Sequence, residues 1–225
     1  MIIEAVNVSV IAETPEVLVV NKPEGVSTIA ERDPAQSNLR QLLEGARHER
    51  LFVVHRLDKE VSGALVFART AAAHRELCLQ FEQRSIEKTY LAVVRGTLAA
   101  ESGTIDAKVR EFGSGRMGVD PRGKPSRSDY SVLARSAGHT LLEVTPVTGR
   151  RHQIRVHLYS IGHTVAGETR YGEGPGVEEA RLMLHAWRLA LPAFSSSPAQ
   201  RLEAAPPPSF VRELERLGLS LPERR

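Results

Sequence analysis

Short aliphatic runs that end in glycine or proline recur along this chain: "VLVVNKPEGV" (17–26), "TYLAVVRG" (89–96), "HTLLEVTPV" (139–147) and "LMLHAWRLALP" (182–192) among them. Helix-period patterns are fewer and scattered between these runs. A chain without regular strand–helix–strand alternation does not wind a parallel sheet with helices on both faces. The pattern predicts an α+β fold, with a mainly antiparallel mixed central sheet and flanking helices and loops.

Local signals set the elements. Residues 1–27 read as strands, with a turn at Pro23 and Gly25. "SNLRQLLEG" (37–45) predicts a short helix capped by Ser37 or Asn38 and stopped at Gly45. Ala73, Leu77 and Phe81 recur at i, i+4, i+8, the stripe of an amphipathic helix. Gly96 ends the strand in "IEKTYLAVVRG". Residues 101–128 carry five glycines and many charges, and predict a hairpin-rich excursion with an exposed basic tip from Arg116 to Arg127. In "GRRHQIRVHLYSIG" (149–162), Ile154, Leu158 and Ile161 define a buried helix face and Gly162 a stop, with Arg151 and Arg155 sharing another face. "SSSPAQ" reads as a turn or loop, and "APPPS" as an extended lead into a C-terminal helix.

Length and composition narrow the class. The 225 residues read as one domain, 1–225, with 41% apolar and 25% charged residues. The net charge of +3 is too small to identify a nucleic-acid partner by itself; only its distribution does that. A single cysteine, Cys78, excludes an intrachain disulfide and a cysteine metal cluster, and is expected as a small buried hydrophobe. "MIIEAVNVSV" has neither a basic leader nor a long apolar core, and no run approaches the ~20 apolar residues of a membrane span. A cytoplasmic protein that does not enter membranes, and a monomer, is expected.

The chemistry centres on "HRLDKEVSG" (55–63). Asp58 stands alone between Arg56 and Lys59, and Gly63 follows where backbone passes close to something. Cations beside a carboxylate favour its charged form, which acts as a nucleophile or base. Glu60 raises a rival: in extended chain, i and i+2 point the same way, and two carboxylates make a glycosidase pair. The basic surroundings oppose it, because a general acid needs a raised pKa. Arg151 and Arg155 are candidate phosphate ligands or partners of a catalytic acid, against the plainer role of a solvated basic face. His152, His157, His163 and His185 lack metal-ligand spacing, so no metal site is expected. Tyr90, in alternating strand context, is either a core tyrosine or a platform for an unstacked base.

Six segments in order resemble the RluA-like family of RNA pseudouridine synthases. They are "VVNKPEGV", "HRLDKEVSG", "EKTYLAVVRG", "VTGRRHQIRVHL", "GHTVAGETRYG" and "LHAWRL", spanning roughly residues 17–210. Val61, Thr164 and Glu168 depart from the family's usual threonine, proline and aspartate. The resemblance implies an isomerase that converts uridine to pseudouridine in structured ribosomal or transfer RNA, without a cofactor. It casts Asp58 as the catalytic aspartate, Arg155 as its paired arginine and Tyr90 as a stacking residue that helps remove the proton from ring carbon 5. It assigns substrate contact to His55, Arg56, Arg150 and Arg151, and pocket walls to Ile154 and Leu184. No separate N-terminal S4-like RNA-binding domain is expected. A non-catalytic RNA-binding or folding module on the same scaffold is the alternative, against which the intact Asp58, Tyr90 and Arg155 weigh.

Overall fold

The structure is a computed structural model and describes residues 8–30, 36–172, 179–193 and 198–221. In chain order the elements begin with β1 (Ser9–Glu13), β2 (Val17–Lys22), α1 (Leu39–Arg47), β3 (Phe52–Val53), β4 (Ser62–Ala68), α2 (Ala71–Glu82) and β5 (Glu87–Arg95). There follow β6 (Ser102–Asp106), β7 (Val109–Glu111), β8 (Met117–Val119), β9 (Arg127–Ser136) and β10 (His139–Pro146). The chain continues with α3 (Gln153–Ser160), β11 (Leu184–Leu191), β12 (Gln200–Glu203) and α4 (Pro208–Arg216). The α+β fold class and the mainly antiparallel sheet are as expected from the sequence. These elements divide between two compact units, residues 1–88 with 186–206, and residues 89–185 with 207–225.

In the first unit β2 pairs antiparallel with both β1 and β4, β3 also pairs with β4, and β11 runs between β4 and β12. Strands β2 and β4 are buried on both faces, which is why they read as continuous apolar runs rather than alternating ones. One face of the pair, Val17, Val19, Ala64, Val66 and Ala68, packs under Ala73 and Leu77 of α2. Thr70 caps that helix, its hydroxyl accepting from the Ala73 N–H at 3.1 Å. Phe81 joins the same cluster half-buried, which completes the expected stripe. Cys78 is half-buried, and burial pushes its thiol pKa up. Helix α1 takes Asn38 as its cap, with the side-chain oxygen accepting from the Gln41 N–H at 3.2 Å. Gly45 does not stop it. The helix runs two residues further and ends where His48 adopts a left-handed conformation, φ 51°.

In the second unit the antiparallel order is β5–β10–β9–β6, and β7 and β8 form a separate hairpin. The 101–128 excursion is hairpin-built as expected, and Arg116, Arg122, Lys124 and Arg127 are exposed. Helix α3 departs from the sequence reading at both ends. Its cap is His152 in a left-handed conformation, φ 53°, so Arg151 precedes the helix and shares no face with Arg155. Ile161 lies past the last turn and is exposed, because the chain already turns toward Gly162 there. Six consecutive residues, Gln153–Leu158, are buried, which describes a helix enclosed on all sides rather than an amphipathic one. Of "SSSPAQ", Ser195–Ser197 lie outside the described residues, as do residues 1–7 of the first expected strand.

Candidate active site

Asp58 stands in the loop between β3 and β4, and that loop is tied down by buried groups. Leu57 donates its N–H to the Thr28 hydroxyl at 3.2 Å, and the hydroxyl donates back to the Leu57 carbonyl at 3.0 Å. Lys22 is fully buried. Its ammonium donates to the carbonyls of Pro23 (2.9 Å), Val26 (2.7 Å) and Lys59 (3.3 Å), and the Gly25 N–H also reaches Lys59 O at 2.8 Å. A buried ammonium keeps its charge only where such acceptors replace water. The Val61 N–H closes a turn on the Asp58 carbonyl at 3.1 Å. Asp58 therefore opens a turn whose two ends are held by Leu57 and Val61, both buried. The turn removes the extended geometry that a paired Asp58 and Glu60 would need. Gly63 meets its expected close approach: φ is +122°, and a Cβ there would fall 2.2 Å from the Ala186 carbonyl oxygen of β11.

The neighbours of Asp58 point to different tasks. Arg56 is exposed. His55 accepts the Val66 N–H at its Nε2 (3.1 Å) and stacks on Phe81 with ring centroids 4.7 Å apart. Burial, with the Lys88 cation adding to it, pushes the His55 pKa down to about 3, so the ring is neutral and Nε2 stays an acceptor. The structure thus places His55 as a strut beside the loop that carries Asp58.

In the second unit Tyr90 lies half-buried on β5, opposite Val144 of β10. Arg155 is almost wholly buried. Its Nε and Nη2 donate to the two carboxylate oxygens of Glu168 at 2.6 and 2.7 Å, and Glu168 also accepts the Arg170 N–H at 2.7 Å. Glu168, visible in the sequence only as a departure from an expected aspartate, is the residue that aims Arg155. Ile154 and Leu184 are buried apolar side chains. Arg150 is half-buried and Arg151 exposed, the latter ion-paired with Glu111 at 3.0 Å.

The turn that carries Arg150 and Arg151 hangs on one amide. Gln153 Oε1 accepts from the Thr148 hydroxyl (2.6 Å) and the Arg150 N–H (3.0 Å), while its Nε2 donates to Arg127 O (2.9 Å) and Ser128 Oγ (3.0 Å). His157 continues the chain. Its Nε2 lies 2.9 Å from the Ala107 carbonyl, which can only accept, so Nε2 holds the proton and Nδ1 accepts from Ser128 Oγ at 3.0 Å. Burial lowers the His157 pKa in keeping with that neutral tautomer. Ala107 and Ser128 are the two feet of the basic excursion, so α3 holds both. Between those feet stand Lys108, Arg110, Arg116, Arg122, Lys124 and Arg127 against Glu111 and Asp120, an excess of four positive charges in a chain whose net charge is +3. The charge distribution that composition alone leaves open is concentrated here.

Two more of these histidines make structural hydrogen bonds. His152 Nδ1 is 2.5 Å from the Tyr171 hydroxyl, and His163 Nδ1 is 3.0 Å from the Arg95 carbonyl, to which it donates. Among the described residues no group of three or more His, Cys, Asp or Glu is close enough to hold a metal, and no helix is long and apolar enough to cross a membrane.

Residues 16–160 match the family model described as RNA pseudouridylate synthase. The chain belongs to that family. Relatives of this chain include the "Ribosomal large subunit pseudouridine synthase D" of Nitrosomonas europaea, 38% identical over 207 residues, which cover 84% of this chain and 59% of that one. Another is the "Ribosomal large subunit pseudouridine synthase C" of Escherichia coli, 34% identical over 225 residues, 92% of this chain and 69% of that one. The chain thus spans less than two thirds of the Nitrosomonas relative. Among solved structures, "Human RNA Pseudouridylate Synthase Domain Containing 4" superposes with a TM-score of 0.79 at 26% identity, covering 96% of this chain and 95% of its own. "Human RNA Pseudouridylate Synthase Domain Containing 1" gives 0.76 at 31% identity over 90% and 84%. The family expected from the six ordered segments is the family found.

Proposed function

We propose that this protein isomerises uridine to pseudouridine in structured RNA, with Asp58 as the catalytic residue and no cofactor. The observation that carries the reading is the construction around Asp58. A buried ammonium and a buried threonine hydroxyl fix the backbone on both sides of one carboxylate, inside the segment matched by the family model. A binding module has no use for an acid held that tightly.

The reaction breaks the bond from ribose carbon 1′ to uracil nitrogen 1 and forms one from carbon 1′ to ring carbon 5. The proton on carbon 5 leaves, and nitrogen 1 gains one. Nothing is oxidised or transferred to a second molecule, so neither a redox group nor a group carrier is required. The carboxylate has three open routes: addition to the sugar, addition to the base, or removal of the 2′ proton. All need the target nucleotide out of its stack, at a cost of a few kcal/mol. Arg56, exposed beside Asp58, fills the vacated space or holds a phosphate. Tyr90 supplies a ring face to the extruded uracil and a hydroxyl for the carbon-5 proton. Arg155 completes the catalytic set, positioned by Glu168. Arg150, Arg151 and the cations of 108–127 hold the backbone. Ribosomal large-subunit RNA, named for the relatives, is the first substrate to try; transfer RNA is the second. The enzyme works as a cytoplasmic monomer.

Asp58→Asn keeps the shape of the side chain and removes the charge. It is expected to bind a uridine-containing stem-loop as the parent does and to release no tritium from 5-tritiated uridine, a loss of more than about a thousandfold in rate. Ready turnover by Asp58→Asn would overturn the assignment. Pseudouridine mapping in RNA from cells with and without the gene identifies the target.

A further inference from the structure

The aromatic and apolar walls of a concave surface in the second unit are used by none of the roles above. The surface is a groove of about 470 Å³ between the β7–β8 hairpin, which contributes Phe112, Met117 and Val119, and α3, which contributes Val156 and Tyr159, with Tyr171 also lining it. Among the described residues, six large hydrophobic side chains are exposed. Only two of them are aromatic, Phe112 at 40% and Tyr159 at 39%, and both line this groove.

The groove is built to hold its shape. The turn at the hairpin tip is closed by Phe112 N–H to Arg116 O at 2.9 Å and Gly115 N–H to Phe112 O at 2.8 Å. The Phe112 ring lies across the hairpin over Gly118, where an added Cβ would come within 2.8 Å of its edge. Two guanidiniums sit on its aromatic walls: Arg110 is 5.7 Å from the Phe112 ring centre and Arg116 is 5.5 Å from that of Tyr171. The groove also opens on the segment that carries the positive excess of the chain. An apolar peptide or a second copy of the chain would use the rings and leave the cations idle. A nucleotide uses both, because a base stacks on an aromatic face while its phosphates take the arginines. The volume lies within the range of small-ligand sites.

We propose that the groove between the β7–β8 hairpin and α3 is a stacking subsite for one unpaired nucleotide of the RNA, with Phe112 and Tyr159 taking the base and Arg110 and Arg116 its phosphates. The inference rests on RNA being the substrate, and it adds a second point at which RNA sequence is gripped away from the reacting uridine.

Binding shows it without turnover. The probes are an oligouridine strand and an abasic ribose-phosphate strand of equal length and charge, titrated against the full chain. The parent prefers the strand with bases. Phe112→Ala reduces that preference on the order of tenfold and leaves the slope of log affinity against log salt unchanged, since no phosphate contact is lost. Gly118→Ala, which displaces the ring, moves in the same direction. In Phe112→Trp, whose bulk keeps the platform, the new indole fluorescence is quenched by oligouridine and not by the abasic strand. Full retention of the preference in Phe112→Ala, or equal quenching by both strands, overturns the proposal. So does a dimer in the parent that Phe112→Ala splits, which would make this face an interface between copies. A chain that forms no pseudouridine yet shows the Phe112-dependent preference would overturn the catalytic reading and leave this one standing.

Discussion

The loop that carries Asp58 and the basic excursion of residues 108–127 are both irregular segments between strands, and they are built on opposite principles. The Asp58 loop is short and held from beneath: Leu57 and Val61 are buried, Thr28 clamps one side, and Lys22 spends a buried charge on three carbonyls. The excursion is anchored at its feet, where His157 bonds Ala107 and Ser128, and by Val109 and Met117 packing with Val156 and Tyr171, while Lys108, Arg116, Arg122, Lys124 and Arg127 stand exposed. Bond making at one atom requires a group fixed to a fraction of an ångström. Grip on a phosphate chain requires charge in number and tolerates imprecise placement. The difference predicts that substitutions in the first kind of segment change rate or folding, and substitutions in the second change affinity and its dependence on salt.

The sharpest test of that division after Asp58 itself lies at Arg155. Arg155→Lys keeps the charge and loses the planar fork that meets both oxygens of Glu168. Turnover is expected to fall by about ten- to a thousandfold, as a charged hydrogen bond worth roughly 1.5–3 kcal/mol is lost and the group moves. RNA affinity changes far less. Glu168→Gln leaves a buried guanidinium without its counter-charge, and is expected to lose stability on the order of 3–5 kcal/mol in denaturant unfolding as well as rate. Single-turnover rates and affinities measured on one stem-loop decide the matter. Equal losses in rate and affinity for Arg155→Lys would make it a phosphate ligand and blur the contrast.

Lys22 tests the loop from below. Lys22→Met fills similar space and donates nothing to Pro23, Val26 or Lys59. A stability loss of about 2–4 kcal/mol is expected, less than the sum of the hydrogen bonds because a buried charge is removed with them. Thermal unfolding reads it as a shift of several degrees. An unchanged midpoint would mean that Lys22 does not hold the loop.

What could be read from the sequence follows the same division. Strands β2 and β4, helix α2 and the family likeness are local patterns: runs, stripes and ordered motifs. Asp58 stands out as a candidate because its motif is contiguous. The groups that fix it are not contiguous. Thr28 and Leu57 are twenty-nine residues apart, and nothing in "GVST" announces that a threonine will clamp a distant carbonyl. Glu168 is legible only as an oddity until its geometry with Arg155 is seen. Helix α3 misleads because its left-handed start at His152 comes from a tertiary network through Gln153, which overrides the i, i+4 arithmetic that put Arg151 and Arg155 on one face. His55 shows another kind of gap: its place in the motif suggests substrate contact, and no local pattern announces that its ring also receives the Val66 N–H.

That role of His55 has a pH signature. In the native state its pKa is about 3, and that of His157 is also lowered, whereas both have ordinary values near 6.5 when unfolded. Below about pH 6.5 the unfolded chain therefore binds more protons than the native one. The stabilisation present above pH 6.5 is lost as pH falls toward the native values, by at most about 1.4 kcal/mol per pH unit for each histidine. His55→Gln keeps an acceptor for Val66 and removes the titration, so the decline between about pH 6 and 5 becomes shallower. An identical slope in chemical denaturation across that window would show that His55 is not held neutral.

The smallest expected effect separates cations within the excursion itself. Arg122 donates through its N–H, Nε and Nη2 to both oxygens of Asp120, at 2.8, 3.1 and 2.9 Å, while Arg116 faces the Tyr171 ring. The paired guanidinium holds the Asp120 carboxyl below its usual range, so the pair stays charged and internally neutral throughout the working pH. A neutral pair attracts a phosphate weakly. Arg116→Gln is expected to weaken RNA binding, with a deficit about threefold larger at 50 mM salt than at 200 mM, and to flatten the log–log slope by roughly 0.7–0.9, the value of one phosphate contact. Replacing Arg122 with Gln and Asp120 with Asn together removes the neutral pair, and the slope should move by no more than a few tenths. Single replacement of Arg122 exposes the carboxylate and weakens binding more than the double change does. If the double change flattens the slope as much as Arg116→Gln, Arg122 leaves Asp120 for a phosphate when RNA binds, and the excursion is remodelled by its substrate rather than presented to it ready-made.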